Sequence, residues 1–199
     1  RQHPDGVKDF MLHYTVFRPR QLKQDKFVWS PPPLVVLHGG PGIPSTYLLS
    51  LVNVVTDRAV IFYDQLGCGR SSRPMDELCY SIESHVADLE ALIARLIPQS
   101  RGFSLYGHSF GGIVAFEYLK KQRRKTGEDP VSPQRDCYSV ILSSVPMETT
   151  VVEKESQMLL EQVQTQNPTF TKQECLQHFR KIHECRQTDP LPLALQDAH

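Results

Sequence analysis

The sequence predicts an α/β fold built on a mostly parallel sheet with helices on both faces. Three observations carry that expectation. Four short, continuous apolar runs, at 34–37, 59–63, 103–106 and 138–142, have the composition of strands buried on both faces. Segments with helical spacing lie between them, as crossover connections require. Three of the runs also end directly in glycine-bearing polar stretches: H-G-G-P-G, D-Q-L-G-C-G-R-S-S and G-H-S-F-G-G.

Taken in order, residues 10–17 (F-M-L-H-Y-T-V-F) read as an early strand. Residues 18–33 are polar and end in three prolines, which reads as a loop. After the run L-V-V-L and its glycine loop, residues 46–55 read as a helix or helical turn, and 59–63 as the next strand. Ser81 is placed to cap a helix in which Ile82, Val86, Leu89, Ile93 and Leu96 recur at helical spacing, with Pro98 beyond its end. The run 103–106 enters G-H-S-F-G-G, and 113–121 continues as a helix. The run 138–142 is the last strand. Past Pro146 the pattern changes to two polar amphipathic helical stretches, 151–166 and 171–186, divided by Asn167-Pro168. The expected division is therefore 1–146, an α/β core, and 147–199, a helical unit.

Composition bounds the rest. With 40% hydrophobic residues over 199 positions, the chain can bury a sizeable core. Lys plus Arg and Asp plus Glu both number 22, giving a formal net charge of zero. Neither nucleic acid nor an anionic membrane is expected as the main partner. No apolar run approaches the roughly 20 residues that span a bilayer. No signal peptide is visible at the start, Arg1, and five cysteines, an odd number, favour free thiols; both point to the cytoplasm.

The chemistry centres on Gly107-His108-Ser109-Phe110-Gly111, a G-x-S-x-G motif. Alone it is weak, since chance supplies it in roughly one chain of this length in fifteen. A buried strand entering it and a helix leaving it make it specific, because that is the setting of a nucleophile elbow. The helix start favours developing negative charge. A serine nucleophile needs two N–H donors for the tetrahedral oxyanion. One comes from the residue after it, Phe110, and one from a glycine-rich loop after an earlier strand. The stretch at 38–42 spends three of the chain's 11 glycines in that place. Glycine there lets bare backbone approach a substrate, and each donor is worth roughly 3–4 kcal/mol of transition-state stabilisation.

Three segments, L-H-G-G-P-G, F-Y-D-Q-L-G-C-G-R-S-S and Y-G-H-S-F-G-G, resemble the proline iminopeptidases of the α/β-hydrolase fold. The archaeal, tricorn-interacting members are the nearest likeness, through Y-L-L-S-L at 47–51 and H-F-R-K-I-H-E-C-R at 178–186. The resemblance implies that Ser109 is the nucleophile and that Gly40 and Phe110 offer the oxyanion N–H groups, with Gly39 as the fallback for Gly40. It makes Gly40–Pro41 a candidate cis bond, assigns Asp64 to Ser71 to a loop shaping the pocket floor, and makes 147–199 the beginning of a helical cap. In this family the catalytic acid and histidine follow later strands, which this sequence does not contain. The chain therefore reads as C-terminally truncated and nearly inactive alone. Asp64 and His38 are expected to brace loops rather than react. His108 points away from its neighbour Ser109, and His178, His183 and His199 are not expected to act as a base.

Two further patterns suggest other chemistry. Cys175, His178, His183 and Cys185 have zinc-ligand chemistry, but His183 projects about 140° from His178 on one helix, so no metal is expected. The basic run 120–125 suits a helix C-terminus. The expected activity is release of N-terminal residues, often proline, from short peptides through an acyl-enzyme on Ser109, with no cofactor. A related esterase or lipase-like enzyme, and a non-catalytic relative of the same fold, remain as alternatives. Negative groups that hold the substrate's ammonium would favour the peptidase. The oligomeric state is left open.

Overall fold

The apolar runs at 34–37 and 59–63 are so short and so uniformly apolar that only burial on both sides accommodates them, and the chain folds accordingly. In the computed structural model, residues 10–19, 31–40, 42–126 and 136–184 are described. Strands β1 (Tyr14–Phe17), β2 (Leu34–Leu37), β3 (Val60–Tyr63), β4 (Phe103–His108) and β5 (Cys137–Ser143) form one sheet in the order β1-β3-β2-β4-β5. β1 runs antiparallel to β3, and every other neighbour is parallel.

Alternation along the strands feeds two cores. Val35, Leu37, Ile61, Tyr63, Phe103 and Leu105 face one side, where α2 (Ile82–Leu96) and α3 (Phe110–Thr126) cover them with Val86, Leu89, Ile93, Val114 and Tyr118. Leu34, Val36, Val60 and Phe62 face the other, under Tyr47, Leu48, Leu51 and Val52. Each fully buried aliphatic or aromatic side chain here contributes about 1.5–3 kcal/mol. The second cover is thin: a 3-10 turn over Ser45–Leu48 and the four-residue helix α1 (Leu51–Val54). The predicted helical stretch at 46–55 is thus two short pieces.

Two boundaries differ from the sequence reading, each for a physical reason. Only Tyr14–Phe17 of the predicted first strand pairs in the sheet. Residues 11–13 instead bond to the 64–72 loop, through Met11 N–H to Ser72 Oγ and His13 N–H to Ser71 Oγ. Helix α3 begins at Phe110, three residues before the predicted start. Gly111 and Gly112 lie within its first turn, where only glycine fits: a Cβ at either would strike neighbouring atoms, the carbonyls of Leu37 and His38 or the Val145 side chain. Ser81 caps α2 as expected, its Oγ accepting from Ser84 N–H at 3.1 Å.

The chain divides after Val145 into two compact units. The second holds α4 (Thr149–Gln166) and α5 (Lys172–Phe179), extended by a π-helical turn at Arg180–Glu184. Val163 and Cys175 are buried within it, and Thr171 with Glu174 forms a capping box at the start of α5. Pro41, and with it the Gly40–Pro41 bond, lies outside the described residues, as do Cys185 and His199.

Candidate active site

Register brings the three glycine-bearing loops together. Leu37 of β2 pairs with Tyr63 of β3 on one side and with Gly107 of β4 on the other. The residues that follow therefore leave the sheet side by side: His38-Gly39-Gly40, Asp64-Gln65 and His108-Ser109-Phe110. The chain moves outward from β2 in both directions, which makes this strand end a topological switch point, the usual place for a ligand in an open α/β sheet.

Ser109 stands at the junction of β4 and α3 with φ +50°, the left-handed region that costs a non-glycine residue roughly 1–2 kcal/mol. The turn is held by Ser109 N–H donating to Ser143 O at 2.9 Å and by Gly112 N–H donating to Ser109 O at 2.9 Å. Tight packing explains the flanking glycines: a Cβ on Gly107 would lie 2.5 Å from Gly112 Cα. Phe110 is the first residue of α3, where a backbone N–H has no carbonyl of the same helix to bond.

The loop after β2 lies against this turn. A Cβ on Gly39 would sit 3.2 Å from Ser109 Cβ, 2.9 Å from His108 Nδ1 and 3.1 Å from Tyr47 Oη. The peptides on either side of Gly39 are pinned. His38 O accepts from Gln65 Nε2 at 2.7 Å, and Gly39 N–H donates to Tyr47 Oη at 2.7 Å. Gly39 O accepts from His38 Nδ1 at 2.7 Å, and His38 Nε2 accepts from Gln65 N–H at 2.9 Å. A planar peptide unit sets its N–H opposite its C=O. The His38 ring thus holds the Gly39 carbonyl toward itself and turns the Gly40 N–H away, at a residue whose φ of +123° only glycine adopts freely. Gly39, the fallback donor of the sequence reading, has its N–H engaged by Tyr47 Oη.

His38 is fully buried, and burial pulls its pKa below the ordinary imidazole value, so the ring is neutral. Both of its nitrogens are occupied in bracing. Asp64 braces as well: Oδ1 accepts from Ser45 N–H at 3.1 Å and Ser45 Oγ at 2.9 Å, and Oδ2 accepts from Arg70 N–H at 3.1 Å. Burial works to raise its pKa, but these hydrogen bonds outweigh it and hold the carboxyl below the usual range. Asp64 thereby ties the 64–72 loop to the turn that carries Tyr47.

The remaining candidates lie elsewhere. His178 rests against Phe170 and His183 against Phe179 in the helical unit, while Cys175 is buried there. Lys120 pairs with Glu117 and Lys121 with Glu90 on the core. Sequence reasoning missed Tyr47 as part of the site, and gave Gln65 no role beyond membership of the 64–71 loop. Their signal was a polar tip in an apolar stretch directly after a glycine loop, and a glutamine emerging from a buried strand. It also missed Ser144, among the described residues the other non-glycine with positive φ, at +51°, just past β5.

Comparison with known proteins supplies a frame for this geometry. A family model described as alpha/beta hydrolase fold matches residues 32–189. The proline iminopeptidase of Heyndrickxia coagulans is 42% identical over 86 residues, which are 43% of this chain and 29% of that enzyme. That of Thermoplasma volcanium is 34% identical over 179 residues, 82% of this chain and 56% of the relative. The chain thus spans little more than half the length of the longer of these matches. Among solved structures, the proline iminopeptidase of Mycobacterium smegmatis superposes with a TM-score of 0.75 at 23% identity, over 100% of this chain and 65% of that one. An esterase from Exiguobacterium antarcticum gives 0.54 at 20% identity, over 91% of this chain and 59% of that one. At these identities the structural likeness is one of fold, and one fold carries many chemistries.

Proposed function

Since the chain belongs to the alpha/beta hydrolase fold family, we propose that it carries the nucleophile and oxyanion site of a serine aminopeptidase of the proline iminopeptidase type. The observation that carries this reading is the meeting of Ser109, strained at a strand-to-helix turn, with the bare backbone of Gly39, the residue before Gly40. The sequence likeness to proline iminopeptidases supports the substrate class: short peptides with a free N-terminus, often proline.

In this reading Ser109 Oγ attacks the carbonyl carbon of the N-terminal residue. The oxygen becomes an oxyanion, which accepts from Gly40 N–H and Phe110 N–H. Collapse of the tetrahedral species breaks the peptide bond, expels the amine and leaves an acyl-enzyme, which water hydrolyses. The proton on Ser109 needs a base. His38 has both nitrogens committed to Gly39 and Gln65, and His108 Nδ1 is committed to Tyr47. The base and its acid partner are therefore assigned to sequence outside the described residues, and the helical unit to the role of cap. Cytoplasm is the proposed setting, in keeping with the free thiols of Cys68, Cys79, Cys137 and Cys175.

The test uses the full-length protein with a proline arylamide and the same compound acylated on its nitrogen. A free-amine preference of at least about tenfold in kcat/KM is expected, because an aminopeptidase spends binding energy on the ammonium. Ser109→Ala should leave no more than a few per cent of kcat while the fold survives. Preference for the blocked compound or for simple esters would replace the peptidase reading by an esterase.

A further inference from the structure

The Tyr47 hydroxyl touches both halves of the site. It accepts from Gly39 N–H at 2.7 Å and lies 2.7 Å from Nδ1 of His108, the residue before Ser109. A phenol has one proton. With the Gly39 N–H as donor, the phenol's own proton finds an acceptor in His108 Nδ1 when His108 is the tautomer that leaves Nδ1 bare. Burial lowers the His108 pKa, which keeps the ring in the neutral, accepting state, and burial raises that of Tyr47, which keeps it a phenol. The two rings meet edge-on, with centroids 5.4 Å apart. The Tyr47 ring also packs against the Leu34, Val36 and Phe62 cluster, so the hydroxyl is presented from a firm base.

We propose that Tyr47 is a positioning residue of the oxyanion site, tying the loop after β2 to the nucleophile turn through His108. The inference rests on the assignment of Ser109 and Gly40 made above. The oxyanion is held by donors from two separate segments, and donors act only if aimed within a few tenths of an ångström. Gly40 is one residue from Gly39, and Ser109 is one residue from His108. The Gly39–Tyr47–His108 chain bridges the two segments at that point. Without the hydroxyl, the Gly39 N–H and His108 Nδ1 lose their partners together, and the His38–Gly39 peptide keeps only its bond from Gln65. The effect falls on the transition state, which needs both donors at once, more than on substrate binding.

The test is steady-state kinetics of the full-length protein on a proline arylamide. Tyr47→Phe should lower kcat about 10- to 100-fold, less than outright loss of an oxyanion donor, with KM changed by no more than about threefold. His108→Leu, which removes the acceptor, should act alike. His108→Asn places an amide oxygen where Nδ1 stood and should recover most of the loss. The double variant Tyr47→Phe/His108→Leu should be no slower than the slower single, since both break one chain. A prolyl boronic acid, which mimics the tetrahedral state, should bind Tyr47→Phe more weakly by the factor lost in kcat/KM.

Turnover by Tyr47→Phe within twofold of the parent, or an Asn variant as slow as the Leu variant, overturns the inference. So does a Tyr47→Phe protein that loses kcat and KM together with its melting temperature, because that is the behaviour of a packing residue. Ser109→Ala separates the two levels. If it is dead while Tyr47→Phe is unimpaired, only this inference falls. If Ser109→Ala still turns over, the assignment beneath it falls.

Discussion

At the scale of single residues, the site is held by side chains that do no chemistry. His38 is the clearest case. Its neutral ring accepts from Gln65 N–H and donates to Gly39 O, and burial lowers its pKa. An unfolded histidine titrates near pH 6.5, so below that the unfolded state binds a proton the folded state refuses. The stability His38 contributes is complete above about pH 6.5 and is lost as the pH falls toward its depressed folded value. Unfolding by urea should show stability falling between pH 7 and 5, with a slope for this group of up to about 1.4 kcal/mol per pH unit. His38→Asn should be less stable at pH 7 yet show a flatter profile. A slope unaltered by that substitution would mean another group titrates. Ser109 and the glycines around it were legible because the motif needs no partner outside itself. The Tyr47–His108 bond was not, because its two ends are 61 residues apart and only the register of β2 against β4 brings them together.

At the scale of elements, uniform apolar runs proved the most legible signal, since a run such as L-V-V-L or V-I-F-Y has no polar face to leave in water. The early strand was overread because the hydroxyls of Ser71 and Ser72 capture residues 11–13, a contact local pattern cannot reveal. The start of α3 was underread because its glycines look like breakers until the packing that requires them is known. β5 is the outlying case. It is an edge strand, yet Tyr138, Val140, Ile141 and Leu142 are all exposed to a degree unusual for such residues. An uncovered apolar edge invites pairing with other chains. Expressed as these 199 residues, the protein should give a low soluble yield and associate on size-exclusion chromatography. Ile141→Lys should shift it toward monomer. A monomeric, freely soluble parent would show that the edge is tolerated as it stands.

At the scale of the whole molecule, two compact units, a core and a helical pair, follow the change of pattern seen in the sequence after Pro146. The core holds what the fold can determine locally: the turn at Ser109 and the glycine loop after β2, at adjacent strand ends. Among the described residues, the histidines of the two loops that meet at the turn, His38 and His108, are spent on Gly39, Gln65 and Tyr47. Motifs therefore nominate a nucleophile and its donors, and none nominates a base. The account stands or falls on Ser109. The most direct measurement is reaction of the full-length protein with a fluorophosphonate, followed by mass spectrometry of the peptides. The oxygen that attacks phosphorus, displacing fluoride, identifies the activated nucleophile. A single adduct on the peptide bearing Ser109, absent in Ser109→Ala along with turnover, is the predicted result; an adduct on another residue, with turnover surviving in Ser109→Ala, would contradict it.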